Sequence, residues 1–485
     1  MSLFNTITNL FNAAVGRNQD FEQLIAAKDI NRVINLMDNR RKDAEEAMRQ
    51  YDPKSHSIMK RPDKILKDLE GKRKGTLTRW KLPVGYPVYI NEIALVFIFG
   101  QPVKWKQKSE GADDGFKAYT DLLKKMHFNS KIRQCKRLAG SETESAMLFR
   151  VFRNKNNEPD CQIRVLANSK NDEIYTRWDV FENLITFAWG HYSRDVAGKT
   201  TYHLDIYTDT VIYHCTKGSL GWEVEEEDNP IGKIPVIYFR QKMEWDGVEE
   251  LINREEYIAS RRADTNDYFS DPYLVIKAAL LKSMPNKEVE NKTLVASDNV
   301  DDVNKLAGFL TWDGQNESKK DEIAWLRHHI LTKTFTPDID WSQFKGMSQM
   351  SGKALKQMML LADIKASKHK ENYDELLDRT ASLVISIMQN VLFISKSEYK
   401  LDQLECDHEY QEPFGEDIAE TIKNINESID GGTMSDESGI EQNPLIKDKE
   451  LEKARLQKQK EESAKMQRDL FSGSQDGEDV FGGAE

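Results

Sequence analysis

The stretch WDGVEELINREEYIASRRADTNDYFSDP, Trp245 to Pro272, limits what this chain can fold into more than any other. Val248, Leu251, Ile252, Ile258 and Ala259 share one stripe of a helix with 3.6 residues per turn, so its first half can dock on a core. From Ser260 the run continues as SRRADTND, charged or small on every side, and Pro272 disfavours helix at the residue before it. That second half must lie in water or against other polar surfaces. The fold must therefore let one helix start inside a core and end outside it.

Composition narrows the choice of fold. A chain of 485 residues has room for two or three domains, and 39% hydrophobic content is modest for one compact globule of that size. An elongated or assembled shape is expected. The 69 basic and 81 acidic residues leave a net charge of −12, which argues against a surface that grips phosphates everywhere, while local basic patches stay open. Cys135, Cys161, Cys215 and Cys406 form no CxxC pair, so neither a disulfide framework nor a structural zinc site is signalled, and a reducing cytoplasm fits. The start, MSLFNTITNLFNAAVG, lacks a basic n-region and a cleavage pattern, and the longest apolar run, INEIALVFIFG, carries Glu92 and is too short for a bilayer. The expectation is a soluble, unprocessed chain without a membrane partner.

Along the chain, residues 21 to 51 read as one or two amphipathic helices up to the Asp52-Pro53 break. The basic segment KRPDKILKDLEGKRKGTLTRWK reads first as a solvated linker, with contact to an acidic partner or DNA as the alternative. KLPVGYPVYINEIALVFIFGQPVKW suits a buried helix closed by Gly100, although periodicity alone does not separate helix from strand there. Residues 161 to 240 read as a meander of strands with one wet face: in TYHLDIYT, Tyr202, Leu204 and Ile206 face one way, His203, Asp205 and Tyr207 the other. Short strands are expected at YLVIKA, KTLVAS and GFLTW, in a small α/β insertion at 273 to 315. Ser318 is expected to cap a second helix running to Pro337.

A helix from Ser351 to about Ile394, about 43 residues or roughly 65 Å at 1.5 Å per residue, has apolar ends and a charged middle. It should traverse a ring or bridge two layers. A shorter helix follows in EDIAETIKNINESI, then the glycine-rich turn DGGTMSDESG and the all-polar helix DKELEKARLQKQKEESAKMQRDL, which needs partners. The acidic, glycine-rich tail is expected to be disordered.

Catalytic and metal signals are weak. AGKTT at 197 to 201 has Ser193 where a phosphate-binding loop needs glycine, and it lies between strands, so it reads as a hairpin turn. His214 beside Cys215, and Cys406 near His408, have no second ligand pair at metal spacing, and His328 and His329 have no oriented carboxylate in view. No catalytic residue, metal site or cofactor is assigned. The polar loop Asp338 to Met350 holds Trp341, Phe344, Met347 and Met350 between two helices. It either tucks these side chains onto its own helices or carries function.

At this point several motifs, in order, are similar to one family. KLPVGYPVYINEIALVFIFGQPVKW, NPIGKIPVIYF, the stretch from Trp245 to Pro272, MSGKALKQMM and the "MSDESGIEQNPLI" break before a charged helix resemble segments of the portal proteins of long-tailed bacteriophages. The resemblance covers roughly residues 20 to 465 and is weakest in the insertion. It implies an α+β portal fold: N-terminal helices and an α/β wing over 1–244, stem helices at 245–271 and 317–337 around a clip at 272–316, a tunnel loop at 338–350, a long wing helix and further wing over 351–414, a helical crown at 415–470 and an acidic tail at 471–485.

The family further implies a ring of this chain, twelvefold in the virion, at one capsid vertex. Its partners would be double-stranded DNA without sequence specificity, the terminase large subunit, a head-completion or adaptor protein, and the major capsid and scaffolding proteins. Gln343, Lys345 and Gln349 are then candidates for weak phosphate contacts, with Trp341 and Phe344 packing or wedging the loop. Arg261, Arg262, Asp264, Asn266 and Asp267 are expected to meet neighbouring subunits or channel water. Two other classes compete: a metal-dependent nucleic-acid-processing enzyme using carboxylates of 223 to 228 and 244 to 256, and a helical scaffold or adaptor, which would need sustained heptads.

Overall fold

The computed structural model describes residues 21–67, 70–196, 198–269, 273–277, 294–297, 307–310, 316–339, 357, 359–392, 394, 396–411, 413, 418–446 and 449–472. The chain is a mixture of helices and strands that divides into two compact units, one of residues 1–345 and 358–413, the other of 346–357 and 414–485.

The first unit opens with α1 (21–26), α2 (Ile30–Asn35) and α3 (Arg41–Tyr51), the amphipathic run read from sequence. Asp29 caps α2 by accepting from the Arg32 amide. The basic segment is no simple linker: it forms a hairpin of β1 (Lys64–Lys67) and β2 (Arg73–Leu77), antiparallel, with a register shift after Leu66. Helix α4 (Tyr86–Phe99) settles the helix-or-strand question, and it buries residues around most of its circumference, as its near-uniform apolar sequence requires. Gly100 ends it in the right-handed region, φ −59°, and not as a left-handed cap. Strand β3 (Lys104–Gln107) and helices α5 (Asp113–Lys125) and α6 (Phe128–Glu142) follow.

The strands make two main sheets. The central three-stranded sheet has the order β11-β4-β5, with β4 (Glu144–Arg153), β5 (Pro159–Leu166) and β11 (Val236–Arg240), all antiparallel. The expected meander is β6 (Glu173–Trp178), β7 (Leu184–Arg194), β8 (Thr200–Tyr207), β9 (Val211–Lys217) and β10 (Trp222–Asp228), with β6 and β10 at its edges. Leu204 and Ile206 are fully buried against α1 and α2, while His203 and Asp205 on the opposite face are half-buried, which is the alternation of a two-faced sheet. The wet face is shorter than expected. At its far end Phe187, Trp189 and Tyr207 pack on Leu148, Val236 and Tyr238 of the central sheet, so Tyr207 is buried too.

After β11, the turn Trp245–Asp246–Gly247 leads into α7 (Glu249–Phe269), with Gly247 at φ 82°, where a side chain would be strained. Strands β12 (Tyr273–Lys277), β13 (Leu294–Ser297) and β14 (Ala307–Leu310) coincide with the three short strands expected; β12 pairs parallel with β13 and antiparallel with β14. Helix α8 (Asn316–Lys333) starts before Ser318, so Ser318 lies within it and does not cap it. The long helix α9 runs Leu360–Asn390, and β15 (Cys406–Glu409) closes on β3. Residues 351–356 of the expected helix lie outside the described residues. The largest core gathers α4, α5, α6, the central sheet and the second half of α9.

The second unit contains α10 (Ile418–Asp430), α11 (Asp436–Gln442) and α12 (Lys449–Ser472). The expected glycine-rich turn is shorter than its sequence suggests, because Ser435 accepts from the Ser438 amide and starts α11 within it. Helix α12 is exposed along most of its described side chains, with Glu452, Lys453 and Leu456 half-buried, and is tied to α11 by Lys453–Glu441 and Lys460–Asp436.

Candidate functional site

The apolar stripe of α7 meets α8. Leu251 and Ile252 pack with Ile330 and Leu331, and with Tyr86 and Ile90 of α4 and the fully buried Trp245, in one cluster. Trp245 donates its indole N–H to Gln50 Oε1 at 2.9 Å, so its polar handle is satisfied inside the core. Arg254 donates from Nε and Nη2 to Glu322 Oε1 at 3.0 and 2.8 Å, fixing the register of the two antiparallel helices on their exposed side. The base of the helix pair is thus packed into a core of the first unit.

Two buried carboxylates reinforce this base. Glu256 Oε1 lies 2.6 Å from His56 Nδ1 and accepts from the Val84 amide at 2.8 Å. His56 Nε2 faces the Gln50 carbonyl at 2.7 Å; since both ring nitrogens face acceptors, both carry protons. Burial alone would push the imidazole down, but Glu256 more than offsets it and His56 stands above its ordinary value. The neighbouring Glu255 accepts from the Tyr86 hydroxyl at 3.0 Å, and burial raises its carboxyl.

Just upstream, Glu244 is enclosed by two lysines and a histidine. Lys136 of α6 and Lys365 of α9 bind it, Lys365 at 2.9 Å, and His369 Nε2 stands 3.1 Å from Oε1. Gln241 donates to the same carboxylate at 2.8 Å, and Lys365 also reaches the Glu244 carbonyl at 3.2 Å. Burial would raise this carboxyl, yet Lys136, Lys365 and His369 hold it well below its ordinary value. Burial, with Lys136 nearby, pushes His369 down. Glu244 therefore joins α6, α9 and the entry to α7 by charge.

The polar half of α7 is held differently. The Leu82 amide donates to Ser260 Oγ at 3.0 Å, Arg61 pairs with Asp264 at 2.7 Å, and the Trp80 amide donates to Asp264 at 2.8 Å. The Trp80 indole N–H donates to Asp267. Asp264 and Asp267 are thus engaged by the flanks of their own hairpin, which revises the expectation that they meet only neighbours or water. Arg262 is half-buried; Arg261 and Asn266 are exposed, with Arg261 lying 5.7 Å over the ring of its own Tyr257. The side chains of Trp341, Gln343, Phe344, Lys345 and Gln349 lie outside the described residues.

Sequence reasoning missed the hairpin, Arg61, Lys136, Lys365 and the His56–Glu256 pair. A basic run flanked by tryptophan is the only signal that pointed near the first two. Among the described residues no group of three or more His, Cys, Asp or Glu side chains is arranged to hold a metal, and no helix is long and apolar enough to cross a membrane. Of the carboxylates proposed for an enzyme, Glu244 and Glu256 already carry buried cationic partners and Glu227 faces His214 at 3.3 Å, while Glu223, Glu225, Glu226 and Asp228 are exposed along one strand.

The family model described as "Phage portal protein, SPP1 Gp6-like" matches residues 30–466. The portal protein of Bacillus phage SPP1 is 23% identical over 322 residues, covering 59% of this chain and 59% of that relative. The match thus spans somewhat under two thirds of that protein's length. Since the family model covers the chain from α2 through both sheets and α7 to α9 and most of α12, the chain belongs to the phage portal protein family, SPP1 Gp6-like.

Proposed function

We propose that this protein assembles into the ring at one capsid vertex through which double-stranded DNA enters and leaves, and that it docks the terminase motor and later a head-completion protein. It performs no chemistry of its own. The observation that carries this reading is α7 itself: a helix anchored at its base by Trp245, Glu244 and Glu256, with a second half from Arg261 whose described side chains are half-buried or exposed, two of its aspartates held by the flanks of the β1–β2 hairpin. Such a helix suits a stem surrounded by neighbouring copies and water. In this reading α7 and α8 are the two stem strokes, β12 to β14 belong to the clip, and α10 to α12 form the crown.

The chain's net charge of −12 fits a conduit, because an acidic wall repels a like-charged duplex and each phosphate contact would add drag. Lys345, with Gln343 and Gln349, is proposed as a weak DNA contact in the loop, and Trp341 and Phe344 as its packing. Electron microscopy of the purified protein should show rings with a central hole; a uniformly monomeric sample would sink the proposal. Lys345→Glu should impair packaging in a reconstituted assay while rings still form, and unchanged packaging would remove Lys345 from the DNA path.

A further inference from the structure

Two exposed strand edges in the first unit carry opposite charge. Among the described residues the hairpin β1–β2 belongs to no larger sheet, and segment 60–81 around it holds nine basic residues against three acidic ones in a chain that is acidic overall. Lys64, Lys67 and Lys74 are exposed and form no ion pair among the described residues. Beside them Ile65, Leu66 and Leu77 expose 53%, 38% and 47% of their surface. A two-stranded hairpin of this kind is marginal by itself in water. Here its two ends are fixed, Arg61 by Asp264 and Trp80 by Asp264 and Asp267, so the ribbon is held out from α7 and not left as a loose loop.

The other edge is β10, WEVEEED, which among the described residues pairs only with β9. Glu223, Glu225, Glu226, Glu227 and Asp228 are all exposed, and Leu220 in the turn before it is fully exposed. Charges on an edge strand commonly serve to keep other strands away. That explanation accounts for β10 alone. It does not account for a second free edge on the same chain with the opposite charge and its own exposed aliphatic side chains.

We propose that the basic hairpin β1–β2 of one copy docks on the acidic edge strand β10 of a second copy. Main-chain hydrogen bonds would extend the five-stranded sheet by the hairpin, lysine and arginine side chains would meet the glutamates, and the exposed aliphatic groups would be covered. The contact is head-to-tail: each copy gives a hairpin on one side and receives one on the other, and such an interface closes into a ring when its rotation allows. This inference rests on the ring reading and deepens it by naming a surface between copies.

The test uses the full chain and two charge-reversed forms, each checked for native circular dichroism: Lys64→Glu with Lys67→Glu and Lys74→Glu in the hairpin, and Glu223→Lys with Glu225→Lys and Glu226→Lys in β10. These positions are exposed, so both forms should fold. By sedimentation velocity, each single form should need at least about tenfold more protein to assemble than the wild type. The form carrying both sets should regain assembly. Wild-type assembly should also weaken as salt rises. Rings from both single forms at wild-type concentration would overturn this contact and leave the ring reading intact. A hairpin form that assembles normally but loses retention on duplex DNA would overturn it too, and would assign the hairpin to nucleic acid. A wild type that stays monomeric under all conditions would overturn both readings.

Discussion

The two halves of α7 use charge in opposite ways. At the base, Glu256 has 0% side-chain exposure and meets His56, and Glu244 just before the helix has 1% and meets Lys136, Lys365 and His369. In the outer half, Asp264 keeps 26% exposure beside Arg61, and Asp267 and Arg261 stand at the surface. An ion removed from water is stable only with its full set of partners, so the base ions are committed to one arrangement within one subunit. Surface ions hold their partners loosely and exchange them for water or for another chain at little cost. One helix can therefore be an anchor at one end and an adaptable surface at the other.

The difference predicts unequal responses to equal changes. Glu244→Ala leaves two lysines buried without their carboxylate, and should cost about 3–5 kcal/mol in denaturant unfolding of the first unit. A loss below about 1 kcal/mol would mean that water reaches the cluster and that the base is no different from the outer half. Mutating Lys136 alone should cost less, because Lys365 still pairs with Glu244 at 2.9 Å and Gln241 still donates to it.

His56→Gln should cost about 2–3 kcal/mol near pH 6, less than Glu244→Ala, because the Val84 amide still serves Glu256. Its sign with pH follows from the raised value of His56. The pair's contribution is complete below the unfolded histidine value of 6.5 and is lost as pH rises through the higher folded value. The gap between wild type and variant should therefore narrow from pH 6.5 upward. A gap that is flat or widens across that range would show that His56 is not the protonated partner the geometry requires.

This contrast also separates what could be read from the sequence. The apolar stripe of α7, its polar continuation and the alternation in β8 are local patterns, and periodicity exposes them. The three short strands after α7 were legible for the same reason. Strand β4 was not: Glu144 and Ser145 lie buried in it, held by Tyr238 and the Cys135 carbonyl, and polar residues at its start break the strand pattern. The anchors were illegible because their partners are remote: His56 and Glu256 are 200 residues apart, and Lys136 and Glu244 are 108. The hairpin failed for another reason. Its charge density reads as a solvated linker, and only the pairing with Asp264 and Asp267 shows what holds its ends.

The smallest global effect should come from the outer half, and it tests the comparison most finely. Asp264→Asn removes the charge that Arg61 faces while leaving an oxygen for the Trp80 amide. With Asp264 partly in water, the loss should be at most about 1 kcal/mol in global unfolding. Locally it should be larger, because Arg61 is nearly enclosed and the hairpin touches α7 through few groups. Hydrogen exchange should therefore speed up in the amides of 64–67 and 73–77 while those of α7 before Ser260 keep their protection. Exchange that rises equally along the whole helix would show the two halves to be one cooperative unit. Exchange unchanged in the hairpin would show that Trp80 alone holds it, through its indole on Asp267.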